Sequence, residues 1–176
     1  ELSDVFAKQV YLPYSSGTVW AYAKNNDRIN REYKLKNWFY YRDNLDNIIN
    51  KIQEPNILAF SCFLWNWELN CEIAKKVKKL YPNCLVIYGG QHQPLTDRSA
   101  GFFKEHPYVD ILVHGEGEET FLELLEQNLE DQPNFETIRG ITLNRDGKEQ
   151  VNPPRSRLVS IEDNPSPYLT GLFDNI

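Results

Sequence analysis

Several features that would assign the chain to a large class of proteins are missing from its sequence. No apolar run reaches the roughly 18 residues that a transmembrane helix needs, and the first residues lack the pattern of a secretory signal peptide. The chain begins at Glu1 and contains no methionine, which predicts a trimmed fragment. Together these absences predict a cytoplasmic protein with no membrane partner.

Positive charge is also sparse. The sequence has 19 basic against 25 acidic residues, and its densest basic run is Lys75, Lys76, Lys78 and Lys79. Cations at the C-terminal end of a predicted helix are favoured by the helix dipole, so this run needs no ligand. Because nucleic-acid-binding domains present a basic patch, the composition predicts no nucleic-acid partner.

The cysteines are few and widely spaced. Cys62, Cys71 and Cys84 match no disulfide framework, zinc site or iron–sulfur spacing. We therefore expect reduced thiols and no metal held by side chains. Apolar residues, in contrast, make up 41% of the 176 residues, which excludes a disordered chain and is enough for the core of one domain.

Short apolar runs alternate with helical stripes through the middle of the chain. Continuous runs, typical of strands covered on both faces, lie at 57–60, 85–88 and 110–113. Stripes at helical spacing lie at 45–52, 69–80 and 121–129, with a weaker helix expected at 98–105. This alternation predicts a Rossmann-like, doubly wound α/β fold with a mostly parallel sheet and helices on both faces.

The two ends of the sequence depart from this alternation. Near the start we expect a strand at 8–12, a turn at 14–17, a helix at 18–25 and a strand at 38–41. Near the end, Asp146 and Gly147 between alternating residues predict a β-hairpin over 140–151. Four prolines after Asn152 predict an extended tail, so we divide the chain into a domain at 1–151 and a linker at 152–176.

Ligands of an open parallel sheet bind beyond the carboxyl ends of its strands, where helix N-termini offer free N–H groups. The residues expected at these positions are mostly small, aromatic or polar. They are Tyr14, Ser15, Ser16 and Gly17; Ser61, Cys62, Phe63, Leu64, Trp65 and Asn66; Gly89, Gly90, Gln91 and His92; and His114, Gly115, Glu116, Gly117 and Glu118. Because all four groups fall at one edge of the expected sheet, we expect a common site.

Each group also has an explanation that needs no ligand. Gly89 and Gly90 can form a tight turn, and Phe63 and Trp65 can belong to the core. Acidic residues at 116–118 favour the start of a helix without any catalytic role. No G-x-G-x-x-G or phosphate-loop motif is present, which disfavours a nucleotide or flavin domain.

Three of these groups carry a family resemblance. In their order and spacing, SCFLWN at 61–66, YGGQH at 88–92 and GEGEETF at 115–121 resemble the N-terminal cobalamin-binding domain of radical S-adenosylmethionine enzymes. The tail NPSPYLTG at 164–171 is similar to the segment that joins that domain to the radical barrel. The resemblance covers nearly the whole chain and implies a Rossmann-like fold.

The resemblance also implies a cofactor site. Cobalamin is expected to lie over the carboxyl edge of the sheet, with Phe63 or Trp65 packing on the macrocycle or shaping its axial side. The residues expected to line it are Tyr14, Ser15, Ser16, Gly17, Ser61, Cys62, Phe63, Trp65, Gly89, Gly90, Gln91, His92, Gly115, Glu116 and Gly117. By this resemblance, the protein would position the corrinoid for radical or methyl-transfer chemistry.

Two motifs of related enzymes are missing. The chain has no C-x-x-x-C-x-x-C motif, so the 4Fe–4S cluster and S-adenosylmethionine are expected only in a downstream radical barrel, and the chain alone is expected to be non-catalytic. It also has no D-x-H-x-x-G motif, so ligation of cobalt by that histidine is not expected. His92 and His114 are the loop histidines that remain, and neither has a partner at metal-ligand spacing.

A cofactor-free interaction domain of the same topology is the alternative. A receiver domain would carry an acidic cluster after its first strand, where Pro13, Tyr14 and Ser15 stand, and a lysine where His114 stands. These residues disfavour a receiver. A domain that has kept the fold but lost its ligand stays open, because a fold alone does not define a function.

Overall fold

The computed structural model describes residues 12–157, 164–174 and 176 of the chain. Within them lies one five-stranded sheet in the order β1-β2-β3-β4-β5. The strands are β1 (Ile57–Ser61), β2 (Leu85–Gly89), β3 (Ile111–Val113), β4 (Ile141–Arg145) and β5 (Lys148–Val151). The first three strands are parallel, and the last two pair antiparallel.

Helices cover both faces of this sheet. They are α1 (Tyr14–Lys24), α2 (Asp27–Glu32), α3 (Leu45–Lys51), α4 (Trp67–Leu80), α5 (Phe102–Glu105) and α6 (Glu118–Asn128). On one face, α3, α4 and α5 pack against Val86, Tyr88 and Leu112. On the other, α6 packs against Ile87 and Ile111, α1 packs against both α6 and β1, and α2 contacts α1 and α6. The fold class predicted from the sequence is confirmed.

The central strands are apolar on both sides because both sides are covered. Along β2, Val86 and Tyr88 belong to one core cluster, whereas Ile87 belongs to the other. All three are at most 2% exposed. Such strands have no polar face, which is why the sequence shows continuous apolar runs at these positions instead of alternation.

The predicted hairpin is also confirmed. Asp146 and Gly147, with φ of 53° and 82°, join β4 to β5, and positive φ at both central residues is the signature of the type I′ turn. The side-chain oxygen of Asn144 accepts a hydrogen bond of 2.8 Å from the N–H of Gly147. Because β4 runs antiparallel to β3, this turn lies at the edge of the sheet opposite the carboxyl ends of β1 to β3.

The expected turn at Tyr14, Ser15, Ser16 and Gly17 is wrong, because these residues form the first turn of α1. Pro13 precedes the helix, where its fixed φ is compatible with helix initiation. Its carbonyl accepts a 2.7 Å hydrogen bond from the N–H of Gly17, which makes the turn helical. Serine and glycine are poor helix formers, so local propensity favoured a turn.

Two other elements predicted from the sequence, a strand at 38–41 and a single helix at 98–105, are wrong. Residues 38–41 form no strand of the sheet; instead Phe39 packs on the core, and Trp38 contacts Phe173 at 5.9 Å between ring centroids. The helix expected at 98–105 is broken into a 3-10 turn, Thr96–Arg98, and α5, because Gly101 between them has φ of 83°. The strand expected at 8–12 lies, except for Leu12, outside the described residues.

The tail returns to the start of the domain. Residues 152–157 have no regular structure, whereas residues 167–174 form turns against α1. There, Tyr168 stacks on Tyr14 with ring centroids 5.8 Å apart, and Phe173 is 7% exposed. A Cβ atom on Gly17 would lie 2.3 Å from the Phe173 ring, so glycine is required where the tail crosses the helix. None of the helices in the described ranges is long and apolar enough to span a bilayer.

The packing of β3 gives a test of this fold. Leu112 is fully buried in the middle of the sheet, so Leu112→Ala should lower the free energy of unfolding by about 2–5 kcal/mol, through lost burial and a cavity. Urea unfolding followed by circular dichroism measures it. Leu169→Ala is the control, because Leu169 is 92% exposed, and its change should stay within about 0.5 kcal/mol. Equal effects of the two substitutions would contradict the assignment of β3 to the core.

Candidate functional site

The carboxyl ends of β1, β2 and β3 lie at the same edge of the sheet. Ser61 at the end of β1 pairs with Gly89 at the end of β2, and β3 runs parallel beside them. The start of α1 joins this edge because the hydroxyl oxygens of Ser15 and Ser61 lie 3.2 Å apart. The structure therefore brings the four predicted residue groups to one edge. We call it the carboxyl edge.

The loops that follow β1 and β2 are bound to each other through their backbones. The N–H of Cys62 donates a 2.7 Å hydrogen bond to the carbonyl of Gly89, and the N–H of His92 donates one of 3.0 Å to the carbonyl of Cys62. Between them Gly90 has φ of 97°, and a Cβ atom there would lie 2.6 Å from the Cys62 carbonyl oxygen. Gly90 is therefore required for contact between two loops of the protein itself.

The glycines after β3 have a different environment. Gly115 has φ of 74°, and a Cβ atom placed on it would have no heavy atom within 4 Å. Gly117 lies closer to the protein, since its Cβ position is 3.4 Å from a methyl group of Val19 on α1. Of these loop glycines, Gly115 leaves open space at the carboxyl edge.

Asn66 shapes the loop after β1, a role that sequence reasoning did not assign to it. Its side chain is 1% exposed and accepts a 2.8 Å hydrogen bond from the N–H of Phe63. Its amide nitrogen donates a 2.9 Å hydrogen bond to the carbonyl of Ser61. Asparagine at the start of a helix was the available signal, because such residues bond to nearby backbone groups. The loop from β1 to α4 is therefore held from inside.

Aromatic surface is exposed on this same loop. The rings of Phe63 and Trp65 stack with centroids 4.7 Å apart and planes 4° from parallel, and Trp65 is 63% exposed. The neighbouring Leu64 is 74% exposed. Trp67, in contrast, contacts Tyr88 of the core at 5.7 Å. The core aromatic of this segment is therefore Trp67, and Trp65 presents its face at the surface.

Neither loop histidine is placed in a metal-binding group. His114 is half-buried, and its Nε2 lies 2.8 Å from the hydroxyl of Thr142 on β4, while burial lowers the pKa of its imidazole. His92 is exposed, with its ring 5.1 Å from that of Trp67. Across the described ranges, no three histidine, cysteine, aspartate or glutamate side chains are grouped to hold an ion.

A cleft of about 430 Å³ lies beside the end of β3. It is lined by His114, Gly115, Glu116, Arg155, Ser156 and Arg157. Arg155 bonds the carboxylates of Glu119, at 2.9 Å, and Glu123, both on α6, and so fixes this part of the tail to the domain. Sequence reasoning assigned the tail to a linker and missed its three residues in this cleft, because only the folded chain brings them to β3.

The carboxyl edge suits a broad, flat cofactor whose metal is held by the cofactor itself and not by protein side chains. Burial raises the pKa of the Cys62 thiol to about 12, so this thiol stays protonated at neutral pH and is a poor metal ligand. The whole residue is buried, and its backbone bonds the loop after β2, so the prediction that Cys62 lines the ligand surface is not met by its exposure. The stacked Phe63 and Trp65 and the open space at Gly115 offer apolar, unobstructed surface instead.

The glycines give a direct test of this loop geometry. Gly115→Ala should destabilise the protein by about 1–2 kcal/mol, because alanine must adopt a left-handed conformation. Gly90→Ala should cost about 1–3 kcal/mol more, because its methyl group also meets the Cys62 backbone. Urea unfolding of both variants measures the difference. Equal costs would mean that the loops after β1 and β2 do not touch at Gly90.

The chain is similar in sequence to two curated proteins. No family model matches the chain. It is 40% identical over 164 residues to the cobalamin-dependent radical SAM methyltransferase TokK of Streptomyces tokunonensis, across 93% of the chain and 24% of that protein. It is 39% identical over 165 residues to the 2-(S-pantetheinyl)-carbapenam-3-carboxylate methyltransferase of Streptantibioticus cattleyicolor, with the same coverage.

A solved structure gives the same fold. The radical S-adenosylmethionine methyltransferase TsrM from Kitasatospora setae, with cobalamin and a 4Fe–4S cluster bound, superimposes with a TM-score of 0.61 at 14% identity, over 88% of the chain and 28% of that protein. The chain thus spans about a quarter of the length of these relatives. The predicted resemblance is confirmed: over nearly its whole length, the chain matches a segment of cobalamin-dependent radical SAM methyltransferases.

Proposed function

We propose that this chain binds a corrinoid at the carboxyl edge of its sheet and holds it for a radical S-adenosylmethionine domain of a longer protein. The observation that carries the proposal is the convergence of the four loop groups on one edge, in a chain 40% identical to part of a cobalamin-dependent enzyme. Ligands of parallel sheets bind at this edge for geometric reasons, since loops and helix N-termini meet there.

The residues of the edge divide into two roles. Cys62 and Gly90 shape the loops, and Gly17 lets the tail cross α1, because each is buried or packs against the protein itself. The residues proposed to face the corrinoid are Tyr14, Ser15, Ser16, Ser61, Phe63, Trp65, Gly89, Gln91, His92, Gly115, Glu116 and Gly117. Among them, the exposed face of Trp65 and the open space at Gly115 are the features that best suit a wide ring.

The protein's part in the chemistry is placement. A bound corrinoid supplies cobalt-centred chemistry, which we propose to be methyl transfer because the two sequence relatives described above are named methyltransferases. The stacked Phe63 and Trp65 would exclude water from one part of the ring surface, and the hydroxyls of Ser15 and Ser61 would offer polar contacts at its border. Neither His92 nor His114 is proposed as a ligand of cobalt, since His114 already bonds Thr142.

The 4Fe–4S cluster and S-adenosylmethionine are proposed to bind outside this chain. The sequence has no three cysteines at C-x-x-x-C-x-x-C spacing, so we propose that a 4Fe–4S cluster and S-adenosylmethionine are bound by another domain. Residues 152–176 are proposed as the connection to it. All three cysteines of the chain are free and buried, which supports a reducing, cytoplasmic location.

Corrinoid binding can be tested with the purified chain. After mixing with hydroxocobalamin and desalting, the protein should retain colour with a shifted visible spectrum. Gly89→Leu should weaken binding about tenfold or more, because a side chain at the end of β2 would occupy the proposed ring position. A Cβ atom on Gly89 would make only ordinary contacts, at 3.9 Å from its nearest neighbours, and thermal unfolding of the variant separates loss of the site from loss of the fold.

Gly89→Ala is the matched control and should retain most of the binding. Gly90 is unsuitable for this purpose, because any side chain there meets Cys62 and disturbs the loops. A colourless wild-type sample at high protein concentration would reject the proposal and favour the cofactor-free domain. If Gly89→Leu binds the corrinoid as tightly as wild type does, the corrinoid does not bind next to the end of β2.

A further inference from the structure

Gln93 is a buried polar residue at the carboxyl edge, outside the residues proposed to face the corrinoid. It lies in the loop after β2 and is 8% exposed. Its side-chain nitrogen donates a hydrogen bond to the carbonyl of Val113, the last residue of β3. Gln93 therefore connects the loop that follows one strand to the end of the next strand.

The other half of this amide is unpaired. Within the described residues, the Oε1 atom of Gln93 is buried and has no hydrogen-bond partner. Rotating the amide by half a turn would place Oε1 against the carbonyl oxygen of Val113, which is also an acceptor. The orientation shown is thus the one that makes a bond, and it leaves a carbonyl oxygen free.

A free buried acceptor is unfavourable, because it has lost water and gained nothing in exchange. Gln93 follows three exposed residues, Gly90, Gln91 and His92, so it lies directly beneath the surface of this edge. The atom also lies where ligands of a parallel sheet bind. A bound ligand with a hydrogen-bond donor would satisfy it.

The periphery of a corrinoid is rich in such donors. All but one of its acetamide and propionamide side chains end in a primary amide with two N–H groups, and a glutamine carbonyl oxygen accepts from an amide N–H. We propose that Oε1 of Gln93 accepts a hydrogen bond from a peripheral amide of the corrinoid and so makes the site selective for amide side chains. This inference rests on the proposed function.

Selectivity separates this role from a purely structural one. An ester side chain has no N–H, so a corrinoid with all its amides replaced by methyl esters cannot satisfy Gln93. The two probes are dicyanocobinamide and the dicyano form of cobyrinic acid heptamethyl ester, which both lack the nucleotide loop. Visible titration of the chain with each gives two dissociation constants, and their ratio is the preference.

The wild-type chain should bind cobinamide more tightly than the ester. Gln93→Met, which keeps the length of the side chain but neither donor nor acceptor, should reduce that preference about three- to tenfold. Gln132→Met is the matched control, because Gln132 is exposed in the loop after α6 and should leave the preference unchanged. Gln93→Leu repeats the test if the methionine variant does not fold.

Three results would overturn the inference. The first is equal affinity of the wild-type chain for cobinamide and for the ester. The second is an equal loss of affinity for both corrinoids in Gln93→Met, which would mean that Gln93 only holds the loop to Val113. The third is full affinity and an unchanged ratio in Gln93→Met, which would mean that a water molecule, not the ligand, satisfies Oε1. Failure of the wild-type chain to bind either corrinoid would reject the proposed function together with the inference.

Discussion

Parallel hydrogen bonding between β1, β2 and β3 is the constraint on which the candidate site depends. It forces the chain to leave all three strands at the same edge, and it fixes Ser61 beside Gly89 in register. A slip of one residue would turn each side chain to the opposite face and exchange the side chains of β2 between two closely packed cores, which would disrupt the packing of both. The packing of two cores thus determines where the loops emerge, and the loops determine what the edge can bind.

Glycine serves two separate purposes at this edge. Gly17 and Gly90 allow parts of the protein to approach one another, since a Cβ atom would meet the tail at the first position and the loop after β1 at the second. Gly115 instead leaves space unfilled. A glycine-rich loop therefore does not by itself indicate a ligand surface. What gives this edge the character of one is the combination of open space with the exposed ring of Trp65, stacked on the partly buried ring of Phe63.

Much of the fold could be predicted from the sequence, because the central strands are short apolar runs and the long helices carry clear stripes. Tyr14 to Gly17 could not be assigned as helix from local propensity, since Pro13 and tertiary contacts decide the outcome. The loop residues of the site were identified by their position after strands and by resemblance. Gln93 and Arg155 were missed, because their importance comes from partners 20 or more residues away, Val113 and the carboxylates of α6.

The central claim is that the carboxyl edge binds the corrinoid, and hydrogen–deuterium exchange with and without hydroxocobalamin tests it most directly. Backbone amides at 61–66, 89–93 and 114–117 should become protected when the corrinoid is added. Amides at 53–56, 81–84 and 146–147, at the opposite edge, should exchange at unchanged rates. Protection confined to the opposite edge, or spread evenly over the chain, would contradict the account.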